Sequence, residues 1–565
     1  MRNDARLPRM AAPTATRNFA VSFFPLRFRF ARLLLLSVPM AVLVACGGGG
    51  DAGSGVSFLP NSGTGTTPPP TTPPTAPPDA PDDGDALRNA PWVEGVFRTA
   101  SLYKDRCAAP RTGTGYDGKP FADKAGRTLD ENNWLRAWVN DTYLWYDEVP
   151  DLDPARYATA DYFDVLKTHA VTPSGRDKDQ FHFTYTTEEW NALSRAGSSV
   201  GYGAQWAFLS FFPPRDVRVA YVEPGSPAAT TGAGLPRGAQ VLKVNGVDLV
   251  NDDTPEGVDA LNAAIFSPVP GTLTRFTVLD VGSRTPRDIT LPAMPVISTP
   301  VQNVKTLPNA GRTVGYLQFN DHIGTAELQL KAAMEWLRTQ RATELVVDLR
   351  YNGGGYLDLA SQLAFMVAGE AQTRDKAFET TRFNNKHTER DPVSGEPILP
   401  TPFWSTTSGL FAPADQPLPS LDLRRVYVLT GPDTCSASEA FINGLRGIDI
   451  DVVQIGDITC GKPYGFYPQD NCGTTYFSVQ FQGVNAKGFG DYPDGLAPTC
   501  FVPDDFSHAL GDSQEARLAA ALAYQVTGAC PAVPAGRLAK SAVTGPAAPL
   551  LRKPEGLRNR ILRPR

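Results

Sequence analysis

Residues 425–466 read RVYVLTGPDTCSASEAFINGLRGIDIDVVQIGDITCGKPYGF, and this stretch decides the fold. Its pattern predicts a short buried strand, a turn, a helix over 436–445, a second buried strand and a Gly/Pro loop. Strands that alternate with helices indicate an α/β core. Ser436 is thereby placed at a helix N-terminus, where unpaired backbone N–H groups and the helix dipole favour an oxyanion. Lys462 is placed just past the second strand.

A serine and a lysine at such positions are suited to nucleophilic acyl transfer. A serine hydroxyl attacks a carbonyl effectively only when a base removes its proton. Lysine is such a base only in its neutral form, which requires burial away from water and from carboxylates. The uncharged neighbours of Lys462 fit this requirement, and activity is predicted to rise with pH as Lys462 loses its proton. The ordinary alternatives are a serine that only caps the helix and a solvated lysine.

A second stretch, ELVVDLRYNGGGY at 344–356, predicts a buried strand followed by a glycine turn. Consecutive glycines let the backbone approach a ligand and turn its N–H groups inward. The ordered set D-L-R-x-N-x-G-G, S-A-S-E and G-K resembles the C-terminal processing (tail-specific) serine peptidases, specifically a PDZ-containing lipoprotein member. The resemblance covers about residues 92–524.

The resemblance implies a Ser/Lys dyad, with Ser436 as nucleophile and Lys462 as general base. It further implies an oxyanion hole and a supporting group of charged side chains. The oxyanion hole consists of the N–H groups of Ala437 and of Gly353 or Gly354, and the supporting residues are Asp348, Arg350 and Glu439. Some family members carry a glutamine four positions after the lysine, and here that position is Phe466.

Two other side chains compete for roles in this site. Ser438 lies two residues after Ser436, and since each helical position is rotated about 100° from the last, both cannot face one target. Ser436 is the predicted nucleophile. His508 is the alternative base. The five histidines are isolated, and no metal site and no cofactor are predicted.

The first 45 residues are predicted to be a lipoprotein signal peptide. Basic residues precede an apolar run at 33–45 that is too short to span a bilayer. The run ends in Leu-Val-Ala-Cys, which resembles a lipobox with Cys46 as the lipidated residue, and Met10 is an alternative start to Met1. The expected location is the cell envelope, lipid-anchored to a bacterial membrane, with the outer membrane favoured (periplasmic side or surface).

The rest of the chain is predicted to be multidomain, in an α/β (α+β) class. Residues 46–89 are a Gly/Ser/Thr/Pro-rich disordered linker. The following segments are a helical N-terminal domain (90–197), a PDZ β-sandwich-like module (198–297), a ClpP/crotonase-like αβ serine peptidase core (298–530) and a basic disordered tail (531–565). In the PDZ-like module, a peptide-binding loop is expected at Gly201, Tyr202, Gly203 and Ala204.

The net charge and the cysteine content limit the kinds of partner and the chemistry that this chain is expected to have. A net charge of −6 gives no case for nucleic acid. The expected partners are protein or peptide substrates with a free C-terminus, and the membrane through Cys46. Apart from Cys46 there are six cysteines, which allow up to three disulfides. Cys460–Cys472 and Cys500–Cys530 are the pairs that we expect. The alternative function is a catalytically silent scaffold of the same fold that binds peptides or small ligands.

Overall fold

The computed structural model describes residues 83–532, except 233, 267, 410 and 411, together with the backbone of Arg560–Leu562. The predicted leader, Cys46 and the linker up to residue 82 lie outside the described residues, as does most of the predicted tail. A short helix, Asp83–Arg88, occupies the last part of the predicted linker. In the part of the chain that is described, no helix has the length and apolarity needed to cross a membrane.

A six-stranded central sheet positions the predicted catalytic residues. Its first two strands are antiparallel and all later neighbours are parallel. The order across the sheet is Val301–Asn309, Arg312–Phe319, Glu344–Asp348, Arg425–Thr430, Asp451–Gly456 and Cys500–Phe501. The inner strands are continuous apolar runs because helices cover both faces. The predicted α/β class is confirmed.

Helices pack on the two faces of this sheet in unequal numbers. One face carries Ala326–Thr339, Leu357–Ala368 and Ala437–Gly447, which share one large apolar cluster. The other face carries Ala516–Thr527. Eleven of the twelve residues of Leu357–Ala368 are buried, and apolar side chains accordingly predominate around this helix. The helix that begins after Ser436 packs directly against it.

A separate antiparallel sheet, here called the small sheet, follows the N-terminal region. Its order is Arg287–Pro292, Leu273–Leu279, Gln240–Val244, Asp216–Val222 and Ala204–Ser210, with Val247–Asp248 as a hairpin partner of Gln240–Val244. The helices Pro227–Thr230 and Pro255–Phe266 accompany it, the latter with the bounds that its sequence pattern predicts. The segments that precede and follow the small sheet in the chain, Ser198–Gly201 and Met294–Ile297, pair as a two-stranded antiparallel ribbon.

The N-terminal region is helical and packs on the core. Its helices are Thr128–Thr142, Thr159–Val165 and Thr187–Ala196, with 3₁₀ turns at Ala100–Leu102, Tyr146–Glu148 and Pro154–Arg156 and short paired strands at Arg106–Cys107 and Lys124–Ala125. Aromatic side chains form the core of this region: Trp134, Trp138 and Tyr143 are buried. They share an apolar cluster with Tyr464 and Tyr476 of the core.

Further strands form two additional sheets, one of three strands and one of four, that include segments just after Lys462. One contains Phe183–Thr186, Gln469–Asn471 and Thr474–Phe477, and the other contains Thr401–Pro402, Ala377–Arg382, Phe481–Val484 and Tyr464–Gly465. A last short helix is Glu370–Thr373. The apolar pattern of residues 477–481 predicts one strand, and this prediction is wrong, because the chain crosses from one sheet to the other there. At the crossing, buried Gln480 bonds to Tyr467 N–H and to Gly465 O.

The three disulfides join Cys107 to Cys472, Cys435 to Cys460, and Cys500 to Cys530. The expected Cys500–Cys530 pair is present. The expected Cys460–Cys472 pair is wrong, because Cys472 lies in a hairpin that pairs with the N-terminal region, far along the chain.

The predicted disordered tail also differs from the structure at one place. Arg560–Leu562 forms a strand that pairs in parallel with Gly354–Tyr356. A short strand edge has unpaired backbone N–H and C=O groups, and an extended segment satisfies them.

Candidate active site

Ser436 sits on a strained turn between the strand Arg425–Thr430 and the helix Ala437–Gly447. Its φ of +62° and ψ of −116° are unusual for any residue with a side chain. The turn is held by two hydrogen bonds to the preceding motif: the Thr434 hydroxyl donates to Leu349 O at 2.8 Å, and Cys435 N–H donates to Asn352 O at 3.0 Å. A sharp strand-to-helix turn of this kind presents a nucleophile at the helix N-terminus.

The two candidate serines differ in their contacts. Ser438 donates its hydroxyl to Asn352 O at 3.1 Å. The Ser436 hydroxyl is fully buried and has no hydrogen-bond partner among the described residues. A buried hydroxyl without a partner is uncommon, and it is typical of a group that completes its hydrogen bonds with a substrate.

The buried carboxylate of Glu439 joins the serine turn to the lysine loop, residues 459–463. One of its oxygens accepts from Ser436 N–H at 2.9 Å and from Lys462 N–H at 2.8 Å. The other accepts from Gly461 N–H at 2.9 Å and from the Thr459 hydroxyl at 2.5 Å. Burial raises the pKa of Glu439, although these donors act to lower it. We call this set the Glu439 network.

Lys462 is fully buried and lies against aromatic faces. Its Nζ is 4.0 Å from the ring centre of Phe466 and 4.6 Å from that of Phe181. The lysine amine therefore lies within cation–π distance of the Phe466 ring face. The sequence patterns did not indicate Phe181, which comes from the N-terminal region.

The glycine turn, residues 352–355, lies beside the serine turn. Gly354 N–H donates to the Asn352 side chain at 3.0 Å, which leaves Gly353 as the better candidate for the oxyanion hole. The Asn352 side chain also contacts His322 Nδ1 at 2.9 Å, and burial lowers the pKa of His322 to about 3. Gly355 must be glycine, because a Cβ there would lie 2.2 Å from His322 O.

Asp348 and Arg350 belong to a second buried group, here called the arginine cluster: Arg350, Asp348, Asp504 and Glu515. The Arg350 guanidinium donates to both oxygens of Asp348 at 2.9 Å, to both of Glu515 at 2.7 and 2.9 Å, and to Asp504 at 2.7 Å. Asp504 also accepts from Arg237 of the small sheet region at 2.7 Å. The cluster thus fixes the strand end that leads into the glycine turn.

The predicted peptide-binding loop lines the same cavity as the glycine turn. Gly201, Tyr202, Gly203 and Ala204 contribute to its lining, as do Gly353 and Gly354. The Tyr202 hydroxyl is directed away, into bonds with Ala264 O and Thr274. Gly203, with φ +78°, leaves no room for a side chain because a Cβ would lie 2.1 Å from Ser226.

The remaining candidates are placed elsewhere. His508 pairs with Asp505 at 2.7 Å, which raises the pKa of His508, and it is partly exposed. Among the described residues, Cys435, Glu439 and Cys460 are the one group with metal-ligand spacing. The two cysteines form a disulfide, so they offer no thiolate to an ion.

Comparisons with known proteins converge on one family. The family model "Peptidase family S41" matches residues 313–466, and the model "Peptidase S41 N-terminal domain" matches residues 130–185. A carboxyl-terminal-processing protease of Picosynechococcus sp. is 29% identical over 180 residues, which are 31% of this chain and 41% of that protein. Another, of Synechocystis sp., is 29% identical over 140 residues, or 25% and 31%. The chain thus matches less than half the length of these relatives.

A solved structure has the same fold over a longer range. A protein of Bacteroides fragilis NCTC 9343 assigned to the S41 proteases superimposes with a TM-score of 0.53 and 24% sequence identity. The match covers 70% of this chain and 97% of that one.

Proposed function

Because two segments of this chain match models of peptidase family S41, we propose that it is a serine endopeptidase that cleaves protein or peptide substrates with a Ser436/Lys462 dyad. The observation that carries the proposal is the Glu439 network. A single carboxylate oxygen accepts from the backbone N–H groups of both Ser436 and Lys462, so residues distant in sequence are held together beside the glycine turn.

The reaction follows from these positions. The Ser436 hydroxyl attacks the scissile carbonyl carbon while neutral Lys462 accepts its proton. The resulting oxyanion receives hydrogen bonds from Ala437 and Gly353 N–H at the start of the helix and in the glycine turn. Collapse breaks the C–N bond, and the Lys462 ammonium returns a proton to the departing amine. Water, deprotonated by Lys462, then hydrolyses the acyl-enzyme.

Burial supports the lysine's role as base. A fully buried amine loses hydration of its charged form, and this favours the neutral state that proton abstraction requires. The strained backbone at Ser436 supports the role of nucleophile, since such strain is concentrated at functional sites.

Cleavage of an unfolded protein by the full-length chain tests the dyad. Ser436→Ala and Lys462→Ala are each expected to lower kcat/KM by several orders of magnitude, since members of a catalytic unit fail together. A serine-reactive phosphonate should label Ser436 in the wild type and in the control Ser438→Ala, as shown by peptide mass spectrometry. Full activity of Lys462→Ala would assign the base elsewhere. An inert, unlabelled wild type would favour the silent scaffold.

Substrate recognition is proposed to use the small sheet as a PDZ-like module. The predicted peptide-binding loop and the glycine turn share a cavity, so a peptide held by its C-terminus at Gly201–Ala204 would be close to the glycine turn. Amidation of a substrate's C-terminus should raise KM if the free carboxylate is recognised, and an unchanged KM would contradict this.

We also propose that Cys46 anchors the protein to a bacterial envelope membrane through lipid. The support is the Leu-Val-Ala-Cys motif after an apolar run. Cys46→Ala should abolish incorporation of labelled fatty acid and release the protein from the membrane fraction. Labelling that persists in this variant would contradict the anchor.

A further inference from the structure

The C-terminal strand lies between the two segments that continue from the catalytic motifs. Arg560–Leu562 runs parallel to Gly354–Tyr356, with Gly354 opposite Arg560 and Tyr356 opposite Leu562. The same strand contacts Tyr464–Gly465. Gly354–Tyr356 includes the last residues of the glycine turn, and Tyr464 is two residues after Lys462.

The edge that the C-terminal strand occupies is one that a substrate would need. On its opposite side, Gly354–Tyr356 is already bonded to His322: Tyr356 N–H donates to His322 O at 2.7 Å, and His322 N–H donates to Gly354 O at 3.1 Å. An extended peptide can add to this strand only on the side where Arg560–Leu562 lies. Two peptides cannot use the same backbone groups, so tail and substrate exclude each other.

The charges of the tail and of the cavity also favour binding of the C-terminal strand at this edge. The chain ends RNRILRPR, with arginine at 558, 560, 563 and 565. The cavity that contains Gly353 and Gly354 is lined by the carboxylic acids Glu223 and Asp321. A basic segment therefore complements the negative charge of Asp321, joined by that of Glu223 when the pH exceeds the raised pKa of Glu223.

The chain is long enough for this contact within one molecule. The body ends near Cys530, which a disulfide fixes to Cys500. The 27 residues from 533 to 559 separate the body from the strand. At about 3.3–3.6 Å per extended residue, they can span a distance larger than a typical domain.

We propose that residues 560–562, with the basic sequence around them, are an intramolecular ligand of the substrate cleft and compete with protein substrates. The cleft accordingly prefers basic, aliphatic segments. The inference rests on the proposed function only in taking this cleft as the substrate site. A tethered segment at an effective concentration of about 1 mM, with a dissociation constant of about 0.1 mM, would raise the apparent KM roughly tenfold.

Binding can be measured without catalysis. The probe is a fluorescent peptide of residues 556–565, and the proteins are full-length Ser436→Ala and the same chain ending at residue 555. The shortened protein should bind the peptide at least about five times more tightly than the full-length one, because its cleft is vacant. Equal, weak binding to both would overturn the proposal. Since neither protein cleaves, this result is independent of the proposed peptidase activity.

Kinetics provide the second test. Ile561→Pro removes a backbone N–H and should lower KM about as much as the truncation, with kcat unchanged. Leu551→Pro, outside the paired strand, is the matched control and should leave KM as in the wild type. A KM that depends on enzyme concentration would place the tail in another copy's cleft and overturn the intramolecular assignment. Equal KM values for Ile561→Pro and Leu551→Pro would overturn competition.

Discussion

The Glu439 network and the arginine cluster are two buried polar groups that flank the serine turn, and they neutralise charge in opposite ways. Glu439 is held by N–H and O–H donors, and burial raises its pKa. In the arginine cluster, burial also acts to raise the pKa of Glu515, but the Arg350 guanidinium outweighs it and the pKa lies below its ordinary value. Glu439 is thus stabilised by the dipoles of N–H and O–H groups, whereas the carboxylates of the arginine cluster are stabilised by the positive charge of Arg350.

The two groups are expected to affect different properties, because their hydrogen-bond partners come from different parts of the chain. The donors to Glu439 come from the serine turn and the lysine loop, so this carboxylate sets the relative position of the proposed dyad. The partners of Arg350 come from the strand end, the start of the last helix and the segment at Asp504, which also binds Arg237. We therefore expect the arginine cluster to affect chiefly folding and the Glu439 network chiefly turnover.

The largest expected effect is that of Arg350→Met. Removing the guanidinium leaves three buried carboxylic acids without their shared cation, which costs about 3–5 kcal/mol of unfolding free energy. Urea denaturation measures this loss. Arg338→Met, which removes an exposed pair with Glu335, is the control and should leave stability unchanged. Equal stabilities of the two variants would contradict the structural role of the cluster.

Glu439→Gln should separate turnover from folding. The amide NH₂ group would face backbone N–H donors, so the serine turn and lysine loop would shift apart. A misplacement of about 1 Å lowers kcat roughly a hundredfold. Steady-state kinetics and urea denaturation should be measured together. A loss of stability as large as that of Arg350→Met, with kcat unchanged, would remove the distinction between the two groups.

Glu223 extends the comparison to pH. Burial raises its pKa from 4.5 to about 7, although Thr299 N–H donates to it. The folded state thus retains a proton that the unfolded chain releases, so this stability is present below pH 4.5 and lost as pH rises through 7. Glu515, with a lowered pKa, contributes stability that is lost as pH falls. Glu223→Gln should be more stable than the wild type by about 2 kcal/mol at pH 8 and similar to it at pH 4. Parallel pH profiles of the two proteins would contradict this.

The smallest expected effect concerns the ring that faces Lys462. Phe466→Leu removes a contact worth about 1 kcal/mol and should lower kcat about fivefold. Phe477→Leu is a matched control, because Phe477 packs on Phe466 at 5.3 Å between ring centres, whereas Lys462 lies over the ring of Phe466 itself. Both variants should lose similar stability. If Phe477→Leu lowered kcat equally, the effect would come from packing and not from the lysine.

The sequence predicted the elements of the core well because their signals are local. The strand at 426–430, the helix after Ser436 and the helix Pro255–Phe266 follow from apolar periodicity and turn residues. The predicted disulfide Cys460–Cys472 and the strand over 477–481 failed for the opposite reason. Each depends on which distant segment lies next to the chain.

The α/β class, the order of the motifs and the residue types available for acyl transfer can be predicted from the sequence alone. The approach of Phe181 to Lys462, the ion pairs of Arg350 with Asp504 and Glu515, and the pairing of Arg560–Leu562 beside the glycine turn are seen only in the folded chain. Periodicity reports how a segment buries its own apolar face. Contacts between segments hundreds of residues apart depend on the packing of the whole chain, which no local pattern encodes.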